Sequence, residues 1–438
     1  METLDTTRRV LMIAYHYPPC AISSGQQRTL SFSRHLPESG WEPIVLTVSP
    51  GAYARASDDQ LADIPLKLQV VRAWSFDTVR HLSFRGRYPG WLAVPDPWVS
   101  WCVDAVVNGL RLILEKRPRI LWSTYPIATA HLIALILHRL TGIPWVADFR
   151  DPMNEIDPVT GERWPKNANI WWARDWIERQ TVRSCTRAVF VTPGALRIYA
   201  ERYPDVPSTR WTVIPNGYSE EGFVAAEALC NGNLSKDSRI ILLHSGVLYP
   251  SPDRHPGHFF AALADLRKSG RVSSETLQVI LRASSSEDMY RKQILALGIE
   301  DMITLEPPMA YTRALAEMLS VDGLLIFQGK DSNPAIPAKL YEYIRARRPL
   351  FALVDDQGET AKALREARVG TLVPLDSSER IATGLLQFLE EIRNGTALIA
   401  ATAEVERHSR RNRALELARV FEEVRCNQDP GEGGPNHT

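Results

Sequence analysis

Short apolar runs rich in β-branched residues alternate along this chain with longer amphipathic stretches, in two series separated by a polar break. That alternation is the pattern of βα units, in which a parallel sheet is buried between two helical layers. In the first series the strand candidates are Val10–Tyr15, Pro43–Val48, Ile120–Ser123, Trp145–Phe149, Ala188–Thr192 and Trp211–Pro215. Helical patterns fall at Gln26–Pro37, Ala128–Leu140, Asn169–Ser184 and Pro193–Tyr203. The stretch from Pro50 to Pro97 is irregular and rich in aromatics and Arg, and no element is assigned to it. Glu220–Asp237 is polar and small-residue rich, which suits a linker. The second series has strand candidates at Ile240–His244, Leu277–Leu281, Ile303–Leu305, Gly323–Phe327, Leu350–Val354 and Thr371–Pro374. Helical stretches follow at Ser378–Ile392 and Leu398–Val424, and the Gly/Pro/Asn-rich end is expected to be disordered.

The expected architecture is α/β: two Rossmann-like, doubly wound domains in tandem, with ligands taken in a crevice at the carboxyl ends of the strands. The expected divisions are residues 1–218, a linker at 219–237, a second domain at 238–400, a last helix at 401–425 and a tail at 426–438. A chain of 438 residues is too long for one ordinary core, which agrees with two domains.

Charge and cysteine content narrow the function. Lys plus Arg and Asp plus Glu each number 51, so the basic excess of a general nucleic-acid binder is missing, and no nucleic-acid partner is expected. The five cysteines are scattered and form no C-x-x-C pair, so neither a disulfide framework nor a zinc site is suggested. A reducing, cytoplasmic setting is expected. The apolar run Val10–Tyr15 is too short for a signal peptide, and Ile127–Leu140 is interrupted by His131, His138 and Arg139. Neither reaches the roughly 20 apolar residues of a spanning helix.

Four segments carry candidate chemistry. After the opening strand, two prolines lead to Ser23-Ser24-Gly25 at the start of an amphipathic helix, where backbone N–H groups can approach an anion. The same residues also suit an ordinary turn with a Ser cap. Arg28, one turn on, would face the crevice or solvent. At the end of the fourth strand candidate stand Asp148, Arg150 and Asp151, followed by Pro152, which ends ladder pairing. They suit catalysis or an Arg–Asp pair that pins the next loop. In the second series, Gly246 gives a small turn and Arg254 a nearby cation, together suited to a diphosphate. The densest segment is Asp331 to Tyr343: Pro337 suits the first position of a helix whose free N–H groups hold phosphate, and Glu342 suits ribose hydroxyls. Lys339 and Glu342 also have the spacing of a surface ion pair.

The segments VLMIAYHYPP…SSGQQR, PWVADFRDP, VIPNGY, HSGVLYPSPDRHP and IPAKLYEYIRARRP, taken in this order, resemble the retaining glycosyltransferase family of GT-B fold, glycosyltransferase family four. Its relatives make bacterial polysaccharides and glycolipids, and the likeness runs from about Val10 to the last helix. The resemblance implies a retaining, metal-independent transferase that moves a sugar from a nucleotide-sugar donor to a polysaccharide, lipid-linked glycan or other hydroxyl acceptor, with no cofactor. Glu342 matches the second glutamate of the E-x7-E motif, which binds the donor ribose. Gly25 and its neighbour Ser24 fall in the first-domain loop that meets the donor phosphates, and Arg254 falls near the basic pair on the diphosphate. Pro308 lies in the place of the base-contacting turn, and the last helix would cross back to the first domain. Gly246, Ala335, Ile336, Pro337 and Lys339 complete the expected donor site, with Asp148, Arg150 and Asp151 expected to be catalytic.

The chain also departs from the family pattern. Pro334 stands where the first glutamate of E-x7-E belongs, no Lys follows Arg254 at the family's interval, and the Asp148–Asp151 cluster replaces the catalytic-strand His. A nucleotide-sugar epimerase and an inactive nucleotide-sugar-binding protein therefore stay open as alternatives. A last segment, Arg80–Trp101, combines Arg with aromatics and suits either domain packing or contact with anionic lipid. In the second case the protein would be peripheral on the inner face of the plasma membrane.

Overall fold

The computed structural model describes residues 8–20, 24–156, 161–230, 239–251 and 253–427. The chain divides into two compact units. One runs to Asn216 and resumes at Arg410, and the other is Gly217–Ser409.

The first unit holds a seven-stranded sheet of β1 (Arg8–Ile13), β2 (Trp41–Val48), β3 (Gln69–Ala73), β4 (Ile120–Thr124), β5 (Trp145–Phe149), β6 (Arg187–Phe190) and β7 (Trp211–Val213). Its order is β3-β2-β1-β4-β5-β6-β7, with parallel pairing throughout. The helices that matter below are α1 (Ser24–His35), α2 (Trp101–Lys116), α3 (Ala128–Thr141), α4 (Ala168–Ser184) and α5 (Pro193–Arg202). A two-residue rise places alternate side chains of β1 on opposite faces. Leu11 and Ile13 pack in one core with Trp101 and Leu112 of α2 and Ile133 of α3. Val10 and Met12 pack in the other, with Phe32 of α1 and with Leu417 and Phe421 near the chain end. Burial on both faces explains why the strand reads as an unbroken apolar run.

The second unit repeats the plan. Its strands are β8 (Ile240–Ser245), β9 (Leu277–Arg282), β10 (Ile303–Glu306), β11 (Gly323–Gln328), β12 (Leu350–Val354) and β13 (Thr371–Val373), in the parallel order β10-β9-β8-β11-β12-β13. Its helices are α6 (Glu220–Glu227), α7 (Gly257–Lys268), α8 (Glu287–Ala296), α9 (Tyr311–Ser320), α10 (Lys339–Ala346), α11 (Glu359–Glu366), α12 (Ser378–Asn394) and α13 (Thr402–Arg407). In each sheet the strand order reverses beside its first strand, which opens a crevice at the carboxyl ends of β1 and β4 and of β8 and β11.

Several expectations change. The polar stretch read as a linker contains α6, capped by the Ser219 hydroxyl, with Phe223 and Ala226 buried in the second core. Two apolar residues three apart are enough to dock one helical turn, and they were hidden among glutamates. The boundary falls at Asn216/Gly217 and the second unit extends to Ser409. The stretch Leu398–Val424 is two helices, α13 and then α14 (Arg410–Cys426), and α14 belongs to the first unit, where it packs on α1. The irregular region from Pro50 to Pro97 contributes the edge strand β3, a single helical turn at Thr78–His81 and short 3-10 segments at Pro50–Ala52, Asp58–Asp63 and Gly90–Ala93. Of the expected tail, residues 428–438 lie outside the described residues. Among the described residues, no helix is long and apolar enough to cross a membrane.

Candidate functional site

The candidate site of the second unit is built around the end of β8. Gly246 follows the strand with φ 115°, a conformation that L side chains rarely adopt, and its N–H donates to the Arg282 carbonyl at 2.9 Å. A Cβ at Gly246 would lie 2.9 Å from Lys339 Nζ, so glycine is what allows the ammonium to come against this backbone. Lys339 reaches in from the first turn of α10 and lies 3.0 Å from His244 Nε2. His244 is buried, and its Nδ1 donates to the Leu325 carbonyl at 2.9 Å, which leaves Nε2 as the acceptor of the Lys339 bond. Burial, then the charge of Lys339, drives the imidazole well below its ordinary pKa, so it is neutral. Burial, then the nearby Arg254 guanidinium, lowers Lys339 to about 7, with Glu342 opposing. Lys339 therefore titrates near neutrality.

Arg254 is placed by its loop. Its guanidinium lies 5.2 Å over the Tyr249 ring and 3.6 Å from the Asp253 carboxylate. Asp253 in turn accepts from the Ser332 N–H at 3.1 Å and from the Ser332 hydroxyl. Its carbonyl receives the Gly329 N–H, and a Cβ at Gly329 would stand 2.9 Å from that oxygen. The loop before α7 is thus clamped to the loop after β11. Gln328, buried at the end of β11, holds the second loop from inside. It donates to the Ser332 carbonyl at 2.7 Å and the Ala335 carbonyl at 2.9 Å, and accepts from the Thr360 hydroxyl at 2.8 Å.

That clamp sets the entry of α10. The helix begins at Lys339, with Ala338 at its N-cap, so Pro337 lies before the helix and not at its first position. The shift has a simple cause: the Pro337 carbonyl accepts the Leu340 N–H at 2.9 Å in a closing turn. No side chain caps this end. Ala335 is exposed, and Ile336 packs partly against the second core. Glu342 accepts the Tyr311 hydroxyl at 2.8 Å, while Lys339 bonds His244. Pro308 is exposed in the turn after β10, where Arg282 fixes the Pro307 carbonyl at 2.7 Å.

In the first unit the expected catalytic residues stand in different surroundings. Asp148 is fully buried, and its oxygens accept from Arg28 Nε at 2.9 Å, Arg28 Nη2 at 2.8 Å and the Thr124 hydroxyl at 2.9 Å. Arg28 also donates to the Ile214 and Pro215 carbonyls, each at 3.0 Å. Asp148 is therefore held in a buried ion pair, and Arg28, buried with it, does not face solvent. A bidentate fork between strand and helix is the strong form of such a pair. Arg150 is buried, and burial lowers it from its ordinary value while the charges of Asp151 and Asp148 oppose the shift. Asp151 is exposed at the same strand end. The structure adds His16 to this group: half-buried after β1, it is lowered to about 4 by burial and by Arg150. Ser24 opens α1, and Gly25 is buried in its first turn with its carbonyl 3.4 Å from the Thr29 hydroxyl. Residues 21–23 of the same turn lie outside the described residues.

Sequence reasoning missed His244, Asp253, Tyr311, Gln328 and Thr360 as site-building residues. Only His244 and Gln328 had a visible signal, each being a polar group at the end of an apolar strand. Chemically, the edge around Gly246 offers two cations, a glycine turn and a helix end without a side-chain cap, which suit a diphosphate. Glu342 offers a carboxylate for vicinal hydroxyls. Among the described residues, no group of three or more His, Cys, Asp or Glu side chains is arranged to hold a metal ion.

Residues 25–217 match the glycosyl transferase 4-like domain. No curated protein sequence matches the chain significantly. Solved structures are similar over nearly the whole chain at low identity. Sucrose-phosphate synthase from Thermosynechococcus elongatus is 14% identical, with 95% of this chain and 99% of that one covered and a TM-score of 0.65. HepE of Anabaena, solved with UDP-glucose, is 14% identical, with 95% and 99% covered and a TM-score of 0.62. WaaG, a glycosyltransferase involved in lipopolysaccharide biosynthesis, is 16% identical, with 97% and 100% covered and a TM-score of 0.57. The two parallel Rossmann-like sheets are those of the GT-B fold, and the first unit carries a glycosyl transferase 4-like domain.

Proposed function

We propose that the protein transfers a sugar, with retention at the anomeric carbon, from a nucleotide-sugar donor to a hydroxyl of a polysaccharide or lipid-linked glycan. The observation that carries this reading is Lys339, held against Gly246 by His244 with Arg254 beside it. Two cations at a glycine turn suit the donor diphosphate, and they stabilise the charge that develops as the sugar–phosphate bond breaks. The uncapped N–H groups of α10 add to that field. Glu342 accepts from ribose hydroxyls, and the turn at Pro308 lies against the base. The solution of HepE with UDP-glucose supports a nucleotide-sugar donor, and the role of WaaG in lipopolysaccharide synthesis supports a lipid-linked acceptor.

On the acceptor side, exposed Asp151 or the departing phosphate takes the hydroxyl proton, and Arg150 holds the negative charge there. Pro334 leaves no carboxylate at that position for the donor sugar, so specificity for the sugar comes from other groups. The test is a thermal-shift screen with UDP-, GDP-, ADP- and CMP-sugars, since a ligand bound only to the folded state raises the midpoint by mass action. A transfer assay with lipid-linked and soluble acceptors follows. A donor that binds without transfer or slow hydrolysis would make the protein a nucleotide-sugar binder, and a screen with no shift would remove the donor site.

A further inference from the structure

We infer that the segment Val79–Trp91 is an interfacial anchor that rests on an anionic lipid surface. Its chemistry is one-sided. Between Asp77 and Asp96 the chain has no acidic residue and carries Arg80, His81, Arg85 and Arg87. The two flanking carboxylates are buried and engaged. Asp77 accepts the Val79 and Arg80 N–H groups, and Asp96 accepts the Thr129 N–H and hydroxyl. The charge shown to solvent by this segment is therefore positive only.

The apolar part is equally exposed. Phe84 and Trp91 are 76% and 73% exposed, and Val79 is exposed as well. These side chains stand on an ordered base. Phe84 and Arg87 close a four-residue turn by two backbone bonds of 2.8 and 3.0 Å, with Arg85 and Gly86 both left-handed. Arg85 lies 5.4 Å over the Phe84 ring. Below the tip, the Thr78 hydroxyl bonds the Leu92 carbonyl at 2.7 Å, and Arg80 bonds the Tyr53 carbonyl at 2.6 Å. A hydrogen-bonded turn that exposes aromatics beside arginines suits the boundary between headgroups and acyl chains, where the rings lose water and the guanidiniums meet phosphate. An acidic protein partner would satisfy the charge, but it gives no reason for two exposed rings beside the arginines.

The experiment is vesicle co-sedimentation of the full chain on neutral phosphatidylcholine and on vesicles containing anionic phosphatidylglycerol. Wild type is expected to bind the anionic vesicles, less as salt rises. The pair Arg85→Ala/Arg87→Ala should weaken that binding roughly 25-fold, at about fivefold per arginine. Phe84→Ser/Trp91→Ser should weaken binding to the same vesicles independently of salt. All four side chains are exposed, and unchanged thermal midpoints together with unchanged nucleotide-sugar binding would show that the variants are folded. Failure of wild type to bind anionic vesicles overturns the inference. So does equal binding by wild type and the arginine pair, or by wild type and the aromatic pair.

Discussion

Lys339 offers the sharpest test of the donor site, because its charge state at neutral pH depends on the surroundings that only the folded chain supplies. Burial and Arg254 bring it from an ordinary 10.5 to about 7, so in the free protein it is about half charged at neutral pH. A bound diphosphate favours the charged form, and binding must then draw a proton from solvent whenever the pH stands above that value. Donor affinity should accordingly be flat at lower pH and fall by up to about tenfold per unit above about pH 7. Lys339→Met keeps the length of the side chain and removes the charge. Loss of one charge-assisted contact, worth about 1.5–3 kcal/mol, corresponds to an affinity about 10- to 150-fold lower at or below neutral pH.

Isothermal titration with the nucleotide sugar that raises the thermal midpoint is the assay. A nucleotide sugar is preferred to a free diphosphate, since it has no terminal phosphate of its own that titrates in this range. Repeating the titration in buffers of different ionisation enthalpy counts the protons taken up. The wild type should approach one proton about a pH unit above neutrality, and Lys339→Met should take up none from this site. Equal affinities for the two proteins, or a wild type without proton uptake, would refute the placement of Lys339 on the diphosphate. Stability supplies an internal check. Because the folded value is lowered, the unfolded chain binds more protons between about 7 and 10.5, so stability rises with pH across that window. Lys339→Met should lose this rise and be more stable than wild type at and below neutral pH, so weaker donor binding would not reflect unfolding.

Four further outcomes are expected. Glu342→Ala should lower nucleotide affinity about 10- to 100-fold while leaving competition by inorganic pyrophosphate nearly unchanged, read by displacement titration. Gly246→Ala should lose donor binding, because the new Cβ would stand 2.9 Å from Lys339 Nζ, and should cost about 1–3 kcal/mol from its φ of 115°, read by urea unfolding. Asp148→Asn should destabilise the protein by about 3–5 kcal/mol by leaving Arg28 buried without its anion, again read by urea unfolding. Asp151→Asn should lower kcat and leave donor binding unchanged, which separates a role in transfer from one in holding the donor.

What the sequence determined by itself was the local order: two βα series, their strands read from unbroken apolar runs, and the clustering of Gly246, Arg254, Lys339 and Glu342 in the second series. These are legible because period and turn chemistry act over a few residues, and burial on both faces of a parallel strand leaves a continuous apolar signature. The linker expectation failed on the same ground, since Phe223 and Ala226 are too few to impose a period on α6. Tertiary structure alone decided what the charged groups do. Asp148 and Arg28 stand 120 residues apart, and Lys339 and His244 stand 95 apart. No spacing rule connects such positions, and each pair meets only because the parallel sheet brings the carboxyl ends of distant strands to one edge. A carboxylate at a strand end is buried in an ion pair once an arginine is packed across it. A lysine that reads as half of a surface pair becomes a titrating group once the end of β8 buries it against a neutral imidazole.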